Sequence, residues 1–160
     1  MILLAHMLFG AAIGAQIKYA PWAIILAFLG HYFLDIFPHI EYLDGVEDSI
    51  KKLKIRAWQK NMSTAAKVLI DFCLGLFIIT LFSRPLAGGQ LIIYVCALVA
   101  IVPDGMTVLH SLFPNLGLEG HHYIHSTKIH YLTKQKKFPV FWRIATQVLV
   151  VVISFLLLRQ

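Results

Sequence analysis

The sequence predicts an all-α, polytopic transmembrane helix bundle of about five helices with one interfacial amphipathic helix, on three observations. Of 160 residues, 59% are hydrophobic and only 14% are charged, against roughly 25% charged residues in an ordinary soluble domain. The apolar residues fall into five runs near the length, about 20 residues, at which a helix crosses the hydrocarbon of a bilayer. Lysine and arginine gather in alternate connections, the pattern of basic loops held in the cytoplasm.

The first run, residues 2–17, is short, and is expected to tilt or to enter and leave on one side. It resembles a signal-peptide core but lacks a basic segment ahead of it, so it is read as retained. The second covers residues 21–38 between two prolines. A polar connector, residues 41–64, follows with Lys51, Lys52, Lys54, Arg56 and Lys60. Within it Val46, Ile50, Leu53 and Ala57 recur at helical spacing beside Trp58, which suits an amphipathic helix lying on the membrane surface. The third run covers about residues 65–82 and the fourth 86–103. A His-rich loop, residues 104–138, carries Lys128, Lys134, Lys136 and Lys137. The fifth run, 139–158, contains "VLVVVISFLLL", with Ser154 its one polar residue.

One membrane domain over residues 1–160 results, with the N-terminus cytoplasmic and the C-terminus outside. A net charge of +6 is then a charge for anionic lipid headgroups, not for nucleic acid. Cys73 and Cys96 sit inside apolar runs without a CxxC spacing and are expected to be small core residues. Nothing in the sequence speaks to oligomeric state.

In this topology all eight histidines and three aspartates fall in the cytoplasmic half. In "GHYFLDIFPHI", His31, Asp35 and His39 recur every four residues and share a helix face, and Pro38 loosens the last turn so that His39 can turn inward. His6 lies less than two turns into the first run, and Asp71 about one turn into the third. Asp104 closes the fourth in "VPDG". His110, His121, His122, His125 and His130 follow in the loop, with His122 and His125 on one face if helical.

An aspartate at the centre of a span costs roughly 2.5 to 3.5 kcal/mol, so a partner is expected. Imidazole and carboxylate together suit a divalent metal: zinc first, then manganese or iron. The expected ligands are His6, His31, Asp35, His39, Asp104, and His122 or His125, with Asp71 or His110 as the spare base. The alternative is a set of Asp–His hydrogen bonds that serves a proton pathway or locks the bundle. Ser111 and Ser126 adjoin His110 and His125 in sequence, but adjacency along the chain does not place a base against a nucleophile. Gly10 and Gly14 stack on the face of His6, and Gly75 follows Asp71 by four; small residues there let helices approach closely.

The segments "AHMLFGAAIGA", "LGHYFLDIFPHIEY", "IVPDG" and "HHYIHS", over about residues 5–130, resemble the YdjM-like inner-membrane proteins described as membrane-bound metal-dependent hydrolases. The resemblance implies an inner-membrane location, a divalent metal and hydrolysis. Where that family shows Pro-Asp-x-Asp-His, this chain has Pro103-Asp104-Gly105-Met106-Thr107, which leaves His110 as the expected substitute imidazole. His31-xxx-Asp35 followed by His39 behind Pro38 is also similar to the zinc-dependent phospholipase C group, implying phosphoester or lipid-linked substrates. The competing expectation is a non-enzymatic protein, an ion or proton conduit or a scaffold. A conduit calls for polar groups across the whole thickness, and the outer half offers only Thr80, Gln90, Tyr94 and Gln147.

Overall fold

A computed structural model describes residues 2–40, 55–83, 90–129 and 138–160, with backbone alone for 55–64. Among the described residues there is no strand. The described residues form seven α-helices: α1 Leu3–Gln16, α2 Ala20–Asp35, α3 Ile55–Phe82, α4 Gln90–Val99, α5 Val102–Leu112, α6 Glu119–His122 and α7 Val140–Leu158. A 3₁₀ turn, Pro114–Leu116, precedes α6, and a π-helical stretch, Tyr123–Ile129, continues from it.

The helix α1 is apolar on all sides, which suits a helix surrounded by others. It packs against α2, α3, α4 and α7, and Met7, Leu8 and Ala11 join Ile79, Ile93, Ala97 and Leu158 in the main core. Gly10 and Gly14 set how close α4 comes. A Cβ at Gly10 would stand 2.6 Å from the Ala100 Cβ and run into the Cys96 carbonyl, and one at Gly14 would stand 2.9 Å from the Ile92 carbonyl oxygen. The expected close packing is thus present, against backbone.

The outward faces are apolar. Leu69, Ile70, Leu74, Phe77 and Leu81 of α3 are exposed, as are Phe141, Trp142, Val148, Leu149 and Val152 of α7. Apolar exposure on this scale marks a surface covered by something other than water. Residues 65–82 of α3 and the whole of α7 are long and apolar enough to cross a membrane; α4 with α5, bent by 42° at their junction, makes a third if taken as one broken span. The helices α1 and α2, with 14 and 16 residues, measure about 21 and 24 Å at ~1.5 Å per residue, less than the ~30 Å of hydrocarbon. Among the described residues, helix length and composition therefore account for two or three spans by themselves, and the short α1 and α2 fall below that length.

Two further expectations change. The fourth apolar run is not one helix closed by "VPDG". Proline inside a helix removes a backbone bond and clashes one turn back, so the chain breaks at Ala100–Ile101 and restarts with Pro103 in the first turn of α5, where it is tolerated. Asp104 therefore opens a helix, where a carboxylate favours the helix dipole. Likewise, residues 104–138 are not simply a loop, since α5, α6 and the π-helical stretch occupy most of their described part. The interfacial helix proposed on Val46, Ile50 and Leu53 lies outside the described residues; Ala57 belongs to α3, which begins ten residues ahead of the apolar segment.

The two ends of the bundle are tied differently. At one end Asp71 Oδ2 accepts the Leu4 N–H at 3.0 Å, supplying from α3 the cap that Ile2 does not give α1. At the same end α7 holds the segment that follows α2: Arg143 Nε donates to the His39 carbonyl at 2.7 Å, Gln147 Nε2 to the Ile40 carbonyl at 2.9 Å, and Thr146 Oγ1 to the Pro38 carbonyl. At the other end Gln16 Nε2 donates to the Leu157 carbonyl at 2.7 Å. Replacing the cap by Asp71→Ala is expected to lower stability by about 1 kcal/mol and to leave metal content unchanged, measured by thermal unfolding in detergent and elemental analysis.

Candidate metal centre

Four side chains from three parts of the fold meet at one point. α2 supplies His31 and Asp35, one turn apart; α5 supplies Asp104 from its first turn; the π-helical stretch supplies His125, and such stretches recur at functional sites. Their ligand atoms all lie within 4.8 Å of one another. His31 Nε2 is 3.0 Å from His125 Nε2 and 3.1 Å from Asp35 Oδ2; His125 Nε2 is 3.2 Å from Asp35 Oδ2; Asp104 Oδ1 is 3.6 and 3.7 Å from the two nitrogens. Ligands about 2.0 to 2.1 Å from a tetrahedral zinc are separated by roughly 3.3 Å, so these spacings bracket the value a metal requires.

The hydrogen bonds behind the ligands fix which nitrogen faces inward. His31 Nδ1 is 2.8 Å from the Ala100 carbonyl oxygen at the α4–α5 break, so Nδ1 carries the hydrogen. Thr107 directs its hydroxyl hydrogen to the Pro103 carbonyl at 3.2 Å and accepts from His125 Nδ1 at 3.1 Å. When neutral, both imidazoles therefore turn a lone pair toward the cluster, the tautomer that metal ligation requires. Behind Asp35, His6 Nε2 donates to Oδ1 at 3.1 Å, and its ring stacks on His31 with centroids 4.2 Å apart. His39 is also buried, with Nε2 3.8 Å from Asp35 Oδ1 and Nδ1 donating to the Phe37 carbonyl at 2.7 Å.

Of the residues singled out from the sequence, His31, Asp35, Asp104 and His125 converge. His6 and His39 stand one layer back, against the outer oxygen of Asp35. His122 turns elsewhere: its ring lies 4.7 Å from that of His110, and its Nδ1 is 3.3 Å from Ser126 Oγ. Asp71 is taken up by the start of α1, and neither it nor His110 belongs to the group of four. His130 lies outside the described residues.

Three contributors escaped the sequence reading: the Ala100 carbonyl, Thr107 and Tyr32. Thr107 had a detectable signal, because it follows Asp104 by three on one helix and so shares its face. The Tyr32 hydroxyl is 3.0 Å from His121 Nε2, and the His121 ring stacks on that of His125 at 5.6 Å. Burial pushes the His121 pKa below the ordinary imidazole value.

No family model matches the chain, and no curated protein or solved structure matches it.

Because Thr107 acts through His125, Thr107→Val is expected to weaken metal affinity about 10- to 100-fold with stoichiometry retained at saturating metal, while Thr107→Ser keeps it. Competitive titration against a chromophoric chelator measures both.

Proposed function

We propose that this protein is a multi-pass inner-membrane, metal-dependent hydrolase acting on phosphoester or lipid-linked bonds, with zinc the first choice of metal. The observation that carries the metal is the triangle of His31 Nε2, His125 Nε2 and Asp35 Oδ2, with edges of 3.0, 3.1 and 3.2 Å. One proton on this triangle satisfies a single edge. Two protons set two imidazolium groups against each other across 3.0 Å. A single divalent cation meets every lone pair at once, and Asp104 adds a second negative charge.

His31, Asp35, Asp104 and His125 would hold the ion, with His6 steadying Asp35 by its hydrogen bond to Oδ1, His39 packed behind it, and Ala100 and Thr107 orienting the imidazoles. Bound there, such an ion supplies Lewis acidity toward a phosphoryl oxygen and makes water nucleophilic near neutral pH. Reaction at a lipid headgroup is supported by a polar site within an apolar exterior, and by the motifs that resemble the YdjM-like and phospholipase C groups.

The orientation proposed is five passes with the N-terminus cytoplasmic. The start of α1, the end of α2, Asp71 and the start of α7 share the site's end of the bundle, which agrees with that alternation. The basic connectors then meet anionic headgroups on the cytoplasmic leaflet.

A proton or ion conduit is the competing reading. Among the described residues the far half carries the exposed Tyr94–Thr80 pair, 3.1 Å apart, the Gln16 bond to α7 and the buried Ser83 and Ser154. These hydroxyls and amides are scattered over four helices or their ends and form no chain of hydrogen bonds to the cluster among the described residues. Elemental analysis after purification without chelators tests the proposal. About one divalent ion per chain is expected in wild type and none in His31→Ala; a metal-free wild type that still folds rejects the metal reading.

A further inference from the structure

His31 and Asp35 are fully buried and His125 nearly so, while Asp104 retains 17% of its side-chain exposure. The open side of the cluster is therefore the α5 side. Along the outer face of α5, Val102, Gly105, Leu109 and Leu112 recur at helical spacing, and all four are exposed. Three are apolar, and the gap between them falls at the residue next to Asp104.

Nothing in the fold calls for glycine at that gap. Among the described residues only Gly117 has a positive φ, so Gly105 serves no left-handed turn. A Cβ there would meet nothing within 4 Å among the described residues, so it serves no close packing with them either. Inside a helix, glycine lowers stability relative to alanine. What the missing side chain does leave is a notch in an apolar stripe, opening beside the one exposed member of the cluster.

The helices α4 and α5 together are apolar enough to form a broken span, and the exposed apolar stripe on α5 suits contact with lipid. His121 supplies an independent sign of a ligand. Among the described residues its buried Nδ1 has no hydrogen-bond partner, while Tyr32 holds Nε2 and the ring lies nearly parallel to that of His125. A buried polar atom left unpaired beside a cluster is costly, and an incoming oxygen relieves it.

We propose that a phospholipid headgroup enters the site sideways from the bilayer, over Gly105, with its acyl chain along Val102, Leu109 and Leu112. Its phosphate reaches the cluster beside Asp104, where His121 Nδ1–H donates to a phosphate oxygen once the Tyr32 hydroxyl donates to Nε2. This rests on the metal reading above and adds to it the substrate's route and class.

Co²⁺-loaded protein in phosphatidylcholine nanodiscs tests it, because the visible bands of the ion respond to any new group at the site. Phosphatidic acid incorporated in the disc is expected to shift the wild-type bands. Gly105→Leu is expected to hold Co²⁺ as wild type does and to respond to inorganic phosphate in the same way, yet to need at least tenfold more phosphatidic acid. Gly105→Ala should behave as wild type. The proposal is overturned if Gly105→Leu responds normally to phosphatidic acid, or if inorganic phosphate shifts the wild-type bands and phosphatidic acid does not, which means entry from water. If Gly105→Leu fails to hold Co²⁺, Leu109→Asp on the same stripe decides, with a wild-type lipid response again overturning it. A wild type that takes up no Co²⁺ is a separate result and rejects the metal site itself.

Discussion

Asp35→Asn is expected to lower metal affinity by at least about 100-fold and to destabilise the protein by roughly 3 to 5 kcal/mol, the usual cost of breaking a buried ion pair from one side. No other residue of the cluster does as much. Its Oδ2 lies within hydrogen-bonding distance of both His31 and His125, and its Oδ1 accepts from His6 and faces His39. An amide in the same volume leaves one position as a donor, which is wrong toward either the cluster or His6. Asp104→Asn is the comparison. Asp104 is partly exposed and its oxygen stands 3.6 to 3.7 Å from the nitrogens, so affinity falls with little change in stability. Metal titration and thermal unfolding in detergent separate the two variants, and wild-type metal affinity in Asp35→Asn contradicts the assignment.

Gly10→Ala is expected to weaken both the fold and the site, although Gly10 touches no ligand. The added Cβ meets the Cys96 carbonyl and stands 2.6 Å from the Ala100 Cβ, and neither obstacle is the end of a flexible side chain. Relief requires α4 to move away from α1. Ala100 moves with it, and its carbonyl is what fixes the His31 tautomer. Overpacking of this kind costs about 1 to 3 kcal/mol, and a displaced orienting group costs about tenfold or more in metal affinity. Gly75→Ala is the control. There the nearest atom is the Met7 sulfur at 2.9 Å, a thioether that yields easily, so stability changes by less than about 1 kcal/mol and affinity holds. Equal effects at Gly10 and Gly75 argue against the coupling.

Much of this arrangement is legible in the sequence, for a physical reason. Polar side chains inside apolar segments are costly enough that their positions carry information, and this marks His31, Asp35 and Asp104; His125 stands out only as one of two histidines, with His122, spaced three apart in a His-rich loop. The layering was not legible. His6 and His39 have the same chemistry and suitable spacing, and only tertiary packing decides that they face the outer oxygen of Asp35. The α4–α5 break was hidden because hydropathy reads straight through Ala100 and Ile101, and a proline marks a helix end without saying which end. Asp71 shows the opposite limit: a buried carboxylate that caps another helix looks, in sequence, like a spare base.

The bonds from Arg143, Thr146 and Gln147 to the Pro38–Ile40 carbonyls bear on biogenesis. These groups lie on a helix synthesised after every residue of the cluster, and they hold the strand of chain that carries His39 against Asp35. While the ribosome is still extending the chain toward α7, His31, Asp35, Asp104 and His125 can already be in the bilayer with their backing incomplete. The layer behind Asp35 is thereby completed only after translation has passed α7.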